Sequence, residues 1–345
     1  MTPTAIALGN FDGVHLGHQA VISQVLPNGL ENGLLSDFGC KTAPPAAATP
    51  WVKGYSHWNW SSKDSAERER NPSTASDSSI PTVVTFFPHP QEFFSGQSRP
   101  LLTPLEEKAA QISRLGIKQL VLLPFNHELA ALTPKEFVDI LLIQQLRARR
   151  ISVGKDFCFG KNRSGTVEDL KHLAAQHGVE VSIAPLRLEG TERISSSRIR
   201  EALLTGNLKT AQALLGRSYS ICGRVIQGQR LGRTLGFPTA NLKLPADKFL
   251  PKHGVYSVWV RGVGGNPGQH LPGVLNIGIR PTVDGLATTV EVHLLDWSGD
   301  LYGKTLSLSL QDYLRPEQKF ASLEALKDQI QQDCQTALAA LAKPE

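Results

Sequence analysis

The sequence predicts an α/β fold in which a parallel, doubly wound sheet is followed by a small antiparallel β-barrel and a closing helix. Strand-like apolar runs alternate with capped helical segments up to about residue 216, the pattern of βα units in a parallel sheet. After Gly216, short β-rich runs are separated by Gly, Pro and Asp turns with no long helix between them, as in a small barrel. An amphipathic segment at 322–341 predicts the last helix.

The first half divides into strands and helices in strict alternation. The predicted strands are 4–8, 81–87, 119–125, 150–154 and 179–186, and the predicted helices are 15–25, 103–115, 137–149, 167–178, 196–204 and 208–215. Thr133, Pro134 and Glu136 supply an N-cap, a proline at the first helical position and a capping-box glutamate. Gly206 and Gly216 end the last two helices.

Two segments interrupt this regularity. Residues 27–80 hold neither a helical nor a strand period for long, and we interpret them as a largely disordered insertion. At 216–220 the sequence changes from alternating strands and helices to short β-rich runs, which predicts a boundary between two domains, 1–216 and 217–345. The barrel strands are predicted within 219–226, 254–260, 273–279, 288–295 and 305–310.

Composition narrows the class of protein. With 41% hydrophobic and 19% charged residues, the chain is expected to be globular, and no run reaches the about 18 apolar residues of a membrane helix. The N-terminus lacks the basic and apolar regions of a secretory signal, and the four cysteines show no metal or disulfide spacing, so a cytoplasmic location without membrane contact is expected. The net charge of +5 suits ATP as well as nucleic acid. The oligomeric state stays open.

A first candidate site lies at two helix starts. His15 and His18 are spaced i and i+3 just after the first strand and a glycine-containing turn, where helix N-termini attract anions. Arg193, Ser196 and Ser197 stand at another helix start and offer phosphate ligands. Taken alone, the histidine pair is also compatible with surface or metal-binding histidines. The Arg/Ser motif alone is also compatible with an ordinary capped helix.

A second candidate site lies in the glycine-rich stretch before a barrel strand. Gly228 and Gly232 allow backbone N–H groups to approach phosphates. Thr239 and Asn241 share one face of an extended segment and present oxygens suited to Mg²⁺. A glycine-rich turn of a barrel with no ligand is the alternative.

With these motifs in place, the chain resembles the bacterial bifunctional riboflavin kinase/FAD synthetases. The first half resembles nucleotidyltransferases through HLGH (15–18), PHP (88–90), VGKDFCFG (153–160) and ISSSRIR (194–200). The second resembles riboflavin kinases through GRTLGFPTAN (232–241), GVYSVWV (254–260), EVHLLDW (291–297) and LRPEQKF (314–320). The resemblance covers about 4–26 and 81–335. It implies a Rossmann-like nucleotidyltransferase sheet and a riboflavin-kinase barrel.

The resemblance also implies roles for individual residues. In the adenylyltransferase domain, Asn10, His15, His18, Arg193, Ser196 and Ser197 would contact ATP phosphates, and Asp156 would lie in the nucleotide and flavin pocket. In the kinase domain, Thr239 and Asn241 would hold Mg-ATP beside Gly228 and Gly232, Glu291 would take the proton of the riboflavin hydroxyl, and Arg315 and Glu317 would border the flavin. Riboflavin, FMN and ATP are then the implied partners, Mg²⁺ the cofactor, and FMN and FAD the products.

Two departures from the family pattern keep alternatives open. Phe87 stands where relatives carry an aspartate before PHP, and the 27–80 insertion is longer than their connection. One alternative is therefore an enzyme with only the riboflavin kinase site active. The other is a nucleic-acid-binding protein, but the barrel strands lack the interleaved aromatics and cations that this class uses. We therefore expect no nucleic-acid partner.

Overall fold

The described part of the molecule falls into two compact units. The structure is a computed structural model, and it describes residues 2–27, 52–54, 79–228, 232, 235–264, 269–282 and 285–342. The first unit contains 2–27, 52–54, 79–99 and 108–193, and the second contains 100–107 and the described residues from 194 to 342. Of these described residues, none belongs to a helix long and apolar enough to cross a membrane.

The first unit is built on a parallel sheet. Its strands are β1 (Thr4–Leu8), β2 (Val52–Gly54), β3 (Ile80–Phe87), β4 (Gln119–Pro124), β5 (Ala148–Gly154) and β6 (Glu180–Ala184), followed by the two-stranded hairpin β7 (Leu188–Glu189) and β8 (Glu192–Arg193). The helices are α1 (Leu16–Ser23), α2 (Pro90–Ser95), α3 (Leu105–Arg114, whose first three residues group with the second unit), α4 (His127–Ala131), α5 (Pro134–Glu136) with the following π-helix (Phe137–Gln145), the 3₁₀ turn Lys161–Arg163, and α6 (Val167–Ala175).

The strand order explains where a ligand would bind this sheet. The order is β2-β4-β3-β1-β5-β6, and all neighbours are parallel. The predicted parallel α/β sheet is thus confirmed. The chain leaves β1 for β3 on one side and later returns to β5 on the other, so the strand order reverses at β1. Open α/β sheets bind ligands beyond the carboxyl end of such a strand.

Most of the first half follows its sequence pattern, with local exceptions. Thr133 and Glu136 form the predicted capping box. The helix predicted to run to residue 149 is a π-helix that ends at Gln145, because Arg147 adopts a left-handed backbone (φ 49°) and β5 begins at Ala148. Helices α2 and α4 and the β7–β8 hairpin were not predicted.

The predicted insertion at 27–80 lies mostly outside the described residues. Within it, Val52–Gly54 forms β2, which pairs in parallel with β4. This strand was not predicted, because three residues are too few to show a period.

The second unit contains the predicted barrel. Its strands are β9 (Ser220–Ile226), β10 (Ala240–Lys243), β11 (Gly254–Arg261), β12 (Leu271–Thr282), β13 (Gly285–Leu294) and β14 (Thr305–Arg315), and its helices are α7 (Ser196–Thr205), α8 (Leu208–Leu215) and α9 (Leu323–Leu341). The strands close in the order β10-β13-β12-β11-β14-β9, all antiparallel, which confirms the small antiparallel barrel with a terminal helix. Gly206 and Gly216 end α7 and α8 with left-handed backbones, as predicted.

Alternation along β12 and β13 fills the interior of the barrel with apolar side chains and places Asn276 and Glu291 on its outer face. Leu275, Ile277, Val290 and Val292 are buried, whereas the residues between them on the same strands are partly exposed. Helix α9 covers part of the outside through Ala337, which packs in one apolar cluster with Val255, Val274 and Leu295.

A buried ion pair fixes the 100–107 segment to the barrel. The Lys248 ammonium donates to Glu107 Oε2 at 2.5 Å, to the Ser220 carbonyl at 2.7 Å and to the Leu102 carbonyl at 2.9 Å. It also lies 4.5 Å from the centroid of the Tyr219 ring. Burial opposes the charge of the ammonium, but Glu107 outweighs this effect and raises the pKa of Lys248. All three donors are used, so the pair is satisfied although it is buried.

Removal of one partner of this pair should therefore be costly. We expect Lys248→Met to destabilise the second unit by about 3–5 kcal/mol, because Glu107 would remain as a buried, unpaired charge. The double variant Lys248→Met/Glu107→Leu should recover most of this loss. Hydrogen exchange of barrel amides in the full chain measures the effect, with Lys243→Met on the exposed side of β10 as the control. Equal exchange rates in Lys248→Met and Lys243→Met would contradict the assignment.

Candidate active sites

The loop after β1 places two histidines at the sheet edge where the strand order reverses. His15 is the N-cap of α1, and its Nδ1 accepts the backbone N–H of His18 at 3.3 Å. The two imidazole rings stack, with centroids 3.6 Å apart and planes inclined by 16°. Because Nδ1 of His15 is an acceptor, the proton of the neutral ring lies on Nε2. The predicted pair is therefore brought together at a helix N-terminus.

Asn10 lies in the same loop, and its backbone is held from two sides. Its carbonyl accepts from the Lys108 ammonium at 2.9 Å and from the Thr85 hydroxyl at 3.1 Å. Its side-chain oxygen is buried and has no hydrogen-bond partner within the described chain. Buried polar atoms are nearly always paired, so this oxygen is suited to accept a hydrogen bond from a water or from a donor group of a ligand. Lys108 was not singled out from the sequence, because a helix lysine carries no local signal.

The PHP turn follows β3 at the same edge of the sheet. His89 caps α2 in a capping box with Glu92. Phe87, which stands where the family usually has an aspartate, is 56% exposed. Burial lowers the pKa of His89, and the positive charges of Arg99 and Lys108 lower it further. The negative charge of Asp12 acts in the opposite direction but does not outweigh them. A neutral His89 agrees with its Nδ1 accepting the backbone N–H of Gln91 at 3.1 Å.

An aromatic cluster beside this turn was missed in the sequence. Phe93, Phe94 and Phe125 contact one another edge to face, with centroid separations of 5.3–5.6 Å. Phe94 is 72% exposed, which is unusual for a clustered aromatic side chain. The signal was present in two runs, QEFF (91–94) and LLPF (122–125), each close to the carboxyl end of a parallel strand.

Asp156 and Arg193 are brought together within the first unit. Asp156 follows β5, Arg193 ends β8, and their side chains form an ion pair although both are about half exposed. Exposed ion pairs contribute little stability, so this pair adds little to the stability of the first unit.

Ser196 and Ser197 form the first turn of α7 in the second unit. The N-cap is Ser195, whose Oγ accepts the backbone N–H of Arg198 at 3.4 Å. The capping function therefore falls to Ser195, while Ser196 and Ser197 begin the helix.

The barrel brings Thr239, Asn241 and Glu291 to one outer face. Asn241 on β10 is directly opposite Glu291 on β13, and directly opposed residues of an antiparallel pair share a face. The Thr239 hydroxyl donates to Glu291 Oε2 at 3.2 Å. A hydroxyl, an amide and a carboxylate, predicted from two stretches 50 residues apart, therefore lie together.

Two glycines pack against this constellation. A Cβ at Gly228 would collide with the Asn241 amide, and a Cβ at Gly232 would collide with the Phe237 carbonyl and lie 3.4 Å from the Thr239 side chain. Any larger residue would displace Asn241 or the segment that carries Thr239. The predicted glycines are therefore required for the position of these two side chains.

Arg315 and Glu317 are held by α9 and β12 of the second unit. Arg315 forms a two-point ion pair with Asp333 of α9 (Nε–Oδ1 2.8 Å, Nη2–Oδ2 2.7 Å). Glu317 lies against β12, where its Oε2 accepts the Ile279 backbone N–H at 3.4 Å. Its carboxylate also packs against Gly278, where a Cβ atom would collide with it. Arg315 is thus engaged in holding the terminal helix, an arrangement that the LRPEQKF motif did not indicate.

Family models match both halves of the chain. The model described as riboflavin kinase matches residues 215–341. The model described as FAD synthetase matches residues 1–38 and 69–198, leaving the middle of the insertion unmatched.

Full-length relatives agree with these matches. A bifunctional riboflavin kinase/FMN adenylyltransferase of Escherichia coli K12 is 37% identical over 334 residues, which is 96% of this chain and 91% of the relative. The protein of the same name from Pseudomonas fluorescens is 38% identical over 98% of this chain and 92% of its own. A crystal structure described as a macrolide-efflux protein from Streptococcus pneumoniae superposes with a TM-score of 0.75 at 29% identity, covering 98% of this chain and 94% of that one. The chain belongs to the family of bifunctional riboflavin kinase/FMN adenylyltransferases.

Proposed function

We propose that this chain makes FMN and then FAD. In the kinase domain (217–345), ATP phosphorylates the 5′-hydroxyl of riboflavin to give FMN and ADP. In the adenylyltransferase domain (1–216), a second ATP transfers its adenylyl group to FMN, giving FAD and pyrophosphate. The observation that carries the proposal is the contact of Glu291 with Thr239, opposite Asn241, on the barrel face.

Glu291 is the proposed general base of the kinase reaction. An alcohol is a weak nucleophile and needs a base, and a carboxylate on the same face as phosphate ligands is suited to this task. Its contact with the Thr239 hydroxyl keeps it beside the proposed ATP position.

Thr239 and Asn241 are the proposed Mg-ATP ligands, assisted by backbone N–H groups of the loop at Gly228 and Gly232. A hydroxyl and an amide oxygen are hard oxygen ligands. Two such ligands suit Mg²⁺, because water and phosphate oxygens usually fill its other coordination positions. When bound, Mg²⁺ would offset the phosphate charge during transfer. Both side chains are held by packing against the glycines, so the site is organised before ATP binds.

Adenylyl transfer places different demands on the first domain. The attacking FMN phosphate is already an anion, so positioning and charge neutralisation suffice and a base is unnecessary. His15, His18, Asn10, Arg193, Ser196 and Ser197 are the proposed donors to the ATP phosphates. The Nε2–H of His15, at a helix N-terminus, is of the required kind. Asp156 borders the nucleotide and flavin pocket through its contact with Arg193.

The aromatic cluster extends this proposal to the flavin ring. Phe94 is exposed beside the PHP turn, and its ring contacts Phe93 and Phe125, which are half-buried. A planar, largely apolar isoalloxazine ring gains both burial and aromatic contact there. In the kinase domain, Glu317 is the proposed neighbour of the flavin, and Arg315 supports it by fixing α9.

For location, we propose the cytoplasm, where ATP is available as co-substrate. The thiols of Cys158 and Cys334, neither in a disulfide, suit a reducing compartment.

The two-site proposal is tested by following both products in one assay. Wild-type protein with riboflavin, ATP and Mg²⁺ should form FMN first and FAD later. Glu291→Gln should lower FMN formation by about 10²- to 10⁴-fold, the usual contribution of a general base, and leave FMN-to-FAD conversion unchanged. Glu180→Gln, an exposed strand glutamate of the first unit, is the control. Absence of FMN with the wild type, or equal loss of both activities in Glu291→Gln, would refute the proposal; FMN without FAD would favour the alternative of a single active site.

The adenylyltransferase site has a complementary test. His15→Ala/His18→Ala should lower FMN-to-FAD conversion by about 10²-fold or more, because two preorganised donors are lost, and leave FMN formation intact. His172→Ala, an exposed histidine of α6, is the matched control. A double variant that converts FMN at the wild-type rate would exclude these histidines from the site.

A further inference from the structure

We propose that His293 is a positioning residue of the kinase reaction, which holds the Pro238–Thr239 segment so that the Thr239 hydroxyl faces ATP. Nδ1 of His293 lies 2.7 Å from the Pro238 carbonyl oxygen. The imidazole also meets the Phe237 ring edge to face, with centroids 5.6 Å apart and planes at 83°. The inference rests on the proposed kinase activity, since Thr239 acts there as an ATP ligand.

The register of β13 gives His293 this position. Glu291 and His293 are two residues apart on one strand and therefore point to the same face. Glu291 accepts the Thr239 hydroxyl, and His293 binds the carbonyl of the preceding residue. One strand face therefore holds both the backbone and the side chain of this segment.

The Pro238–Thr239 segment needs such a contact because it lies outside the sheet. Strand β10 begins at Ala240, and its pairing with β13 covers Ala240 and Asn241 only. Proline has no N–H to donate, so Pro238 contributes to hydrogen bonding only through its carbonyl. That carbonyl is the atom bound by His293.

The chemistry of the contact fixes the tautomer of His293. A carbonyl oxygen only accepts, so Nδ1 must carry a proton. A neutral ring with its proton on Nδ1 meets this condition, and so does the imidazolium. The hydrogen bond, and not the ring charge, is therefore the feature that holds the segment.

Side-chain replacements separate the hydrogen bond from the bulk of the ring. The amide nitrogen of asparagine occupies nearly the place of Nδ1, whereas that of glutamine reaches the place of Nε2. His293→Asn thus keeps the donor without the ring, His293→Gln misplaces it, and His293→Ala removes it. His270→Ala is the matched control, because His270 also meets an aromatic ring edge to face, that of Trp259, elsewhere on the barrel.

The test is the steady-state rate of FMN formation with ATP and riboflavin varied separately. In His293→Ala and His293→Gln, kcat/KM for ATP should fall about tenfold, the upper range for one neutral hydrogen bond, while KM for riboflavin stays unchanged. His293→Asn should recover to within about threefold of wild type. FMN-to-FAD conversion by the same preparations should be unchanged, and the unchanged KM for riboflavin reports that the barrel is folded.

Several results would overturn the inference. These are wild-type kinetics for ATP in His293→Ala, no advantage of His293→Asn over His293→Gln, or an effect on KM for riboflavin alone. If His293→Ala fails to fold, the comparison of Asn with Gln still decides, because both keep a polar side chain. A wild-type protein that makes no FMN would instead refute the proposed function.

Discussion

The hydrogen bond from the Thr239 hydroxyl to the Glu291 carboxylate is the contact on which the kinase account depends. It joins a loop-borne hydroxyl to a strand-borne carboxylate, and the register of β10 with β13 adds the Asn241 amide to the same face. Closure of the barrel fixes this register, because the interior-facing positions are apolar and a shift by one residue would bury Glu291. The site therefore derives its precision from the same alternation that builds the core.

The first unit offers a different set of chemical groups from the barrel. The strand order reverses at β1, and at the carboxyl end of this strand the chain places a helix N-terminus, stacked imidazoles and the unpaired side-chain oxygen of Asn10. The helix N–H groups and the His15 Nε2–H can donate to phosphate oxygens, the unpaired Asn10 oxygen can accept a hydrogen bond, and the proposed adenylyl transfer asks for no base to deprotonate an alcohol. The contrast with Glu291 follows from the substrates, because a phosphate attacks in one reaction and a hydroxyl in the other.

Features encoded locally were predictable from the sequence. The capping box at Thr133 and Glu136, the glycine ends of α7 and α8, and the alternating barrel strands each depend on a few neighbouring residues. Contacts made across the fold were not: the engagement of Arg315 with Asp333, the support of Asn10 by Lys108 and the contact of His293 with Pro238 join residues up to 98 positions apart. Glu291 was identified only through family resemblance, since a strand glutamate has no distinctive spacing.

The central claim is that Thr239 and Glu291 act as one unit, and a double-mutant cycle tests it most directly. FMN formation would be measured for wild type, Thr239→Val, Glu291→Gln and the double variant. The account predicts that the loss in the double variant is smaller than the product of the two single losses. The part of the Thr239→Val loss that comes from misplacing the Glu291 carboxylate is absent once Glu291 is replaced, whereas the part that comes from the lost ATP ligand remains. Losses that multiply, as expected for independent residues, would contradict it.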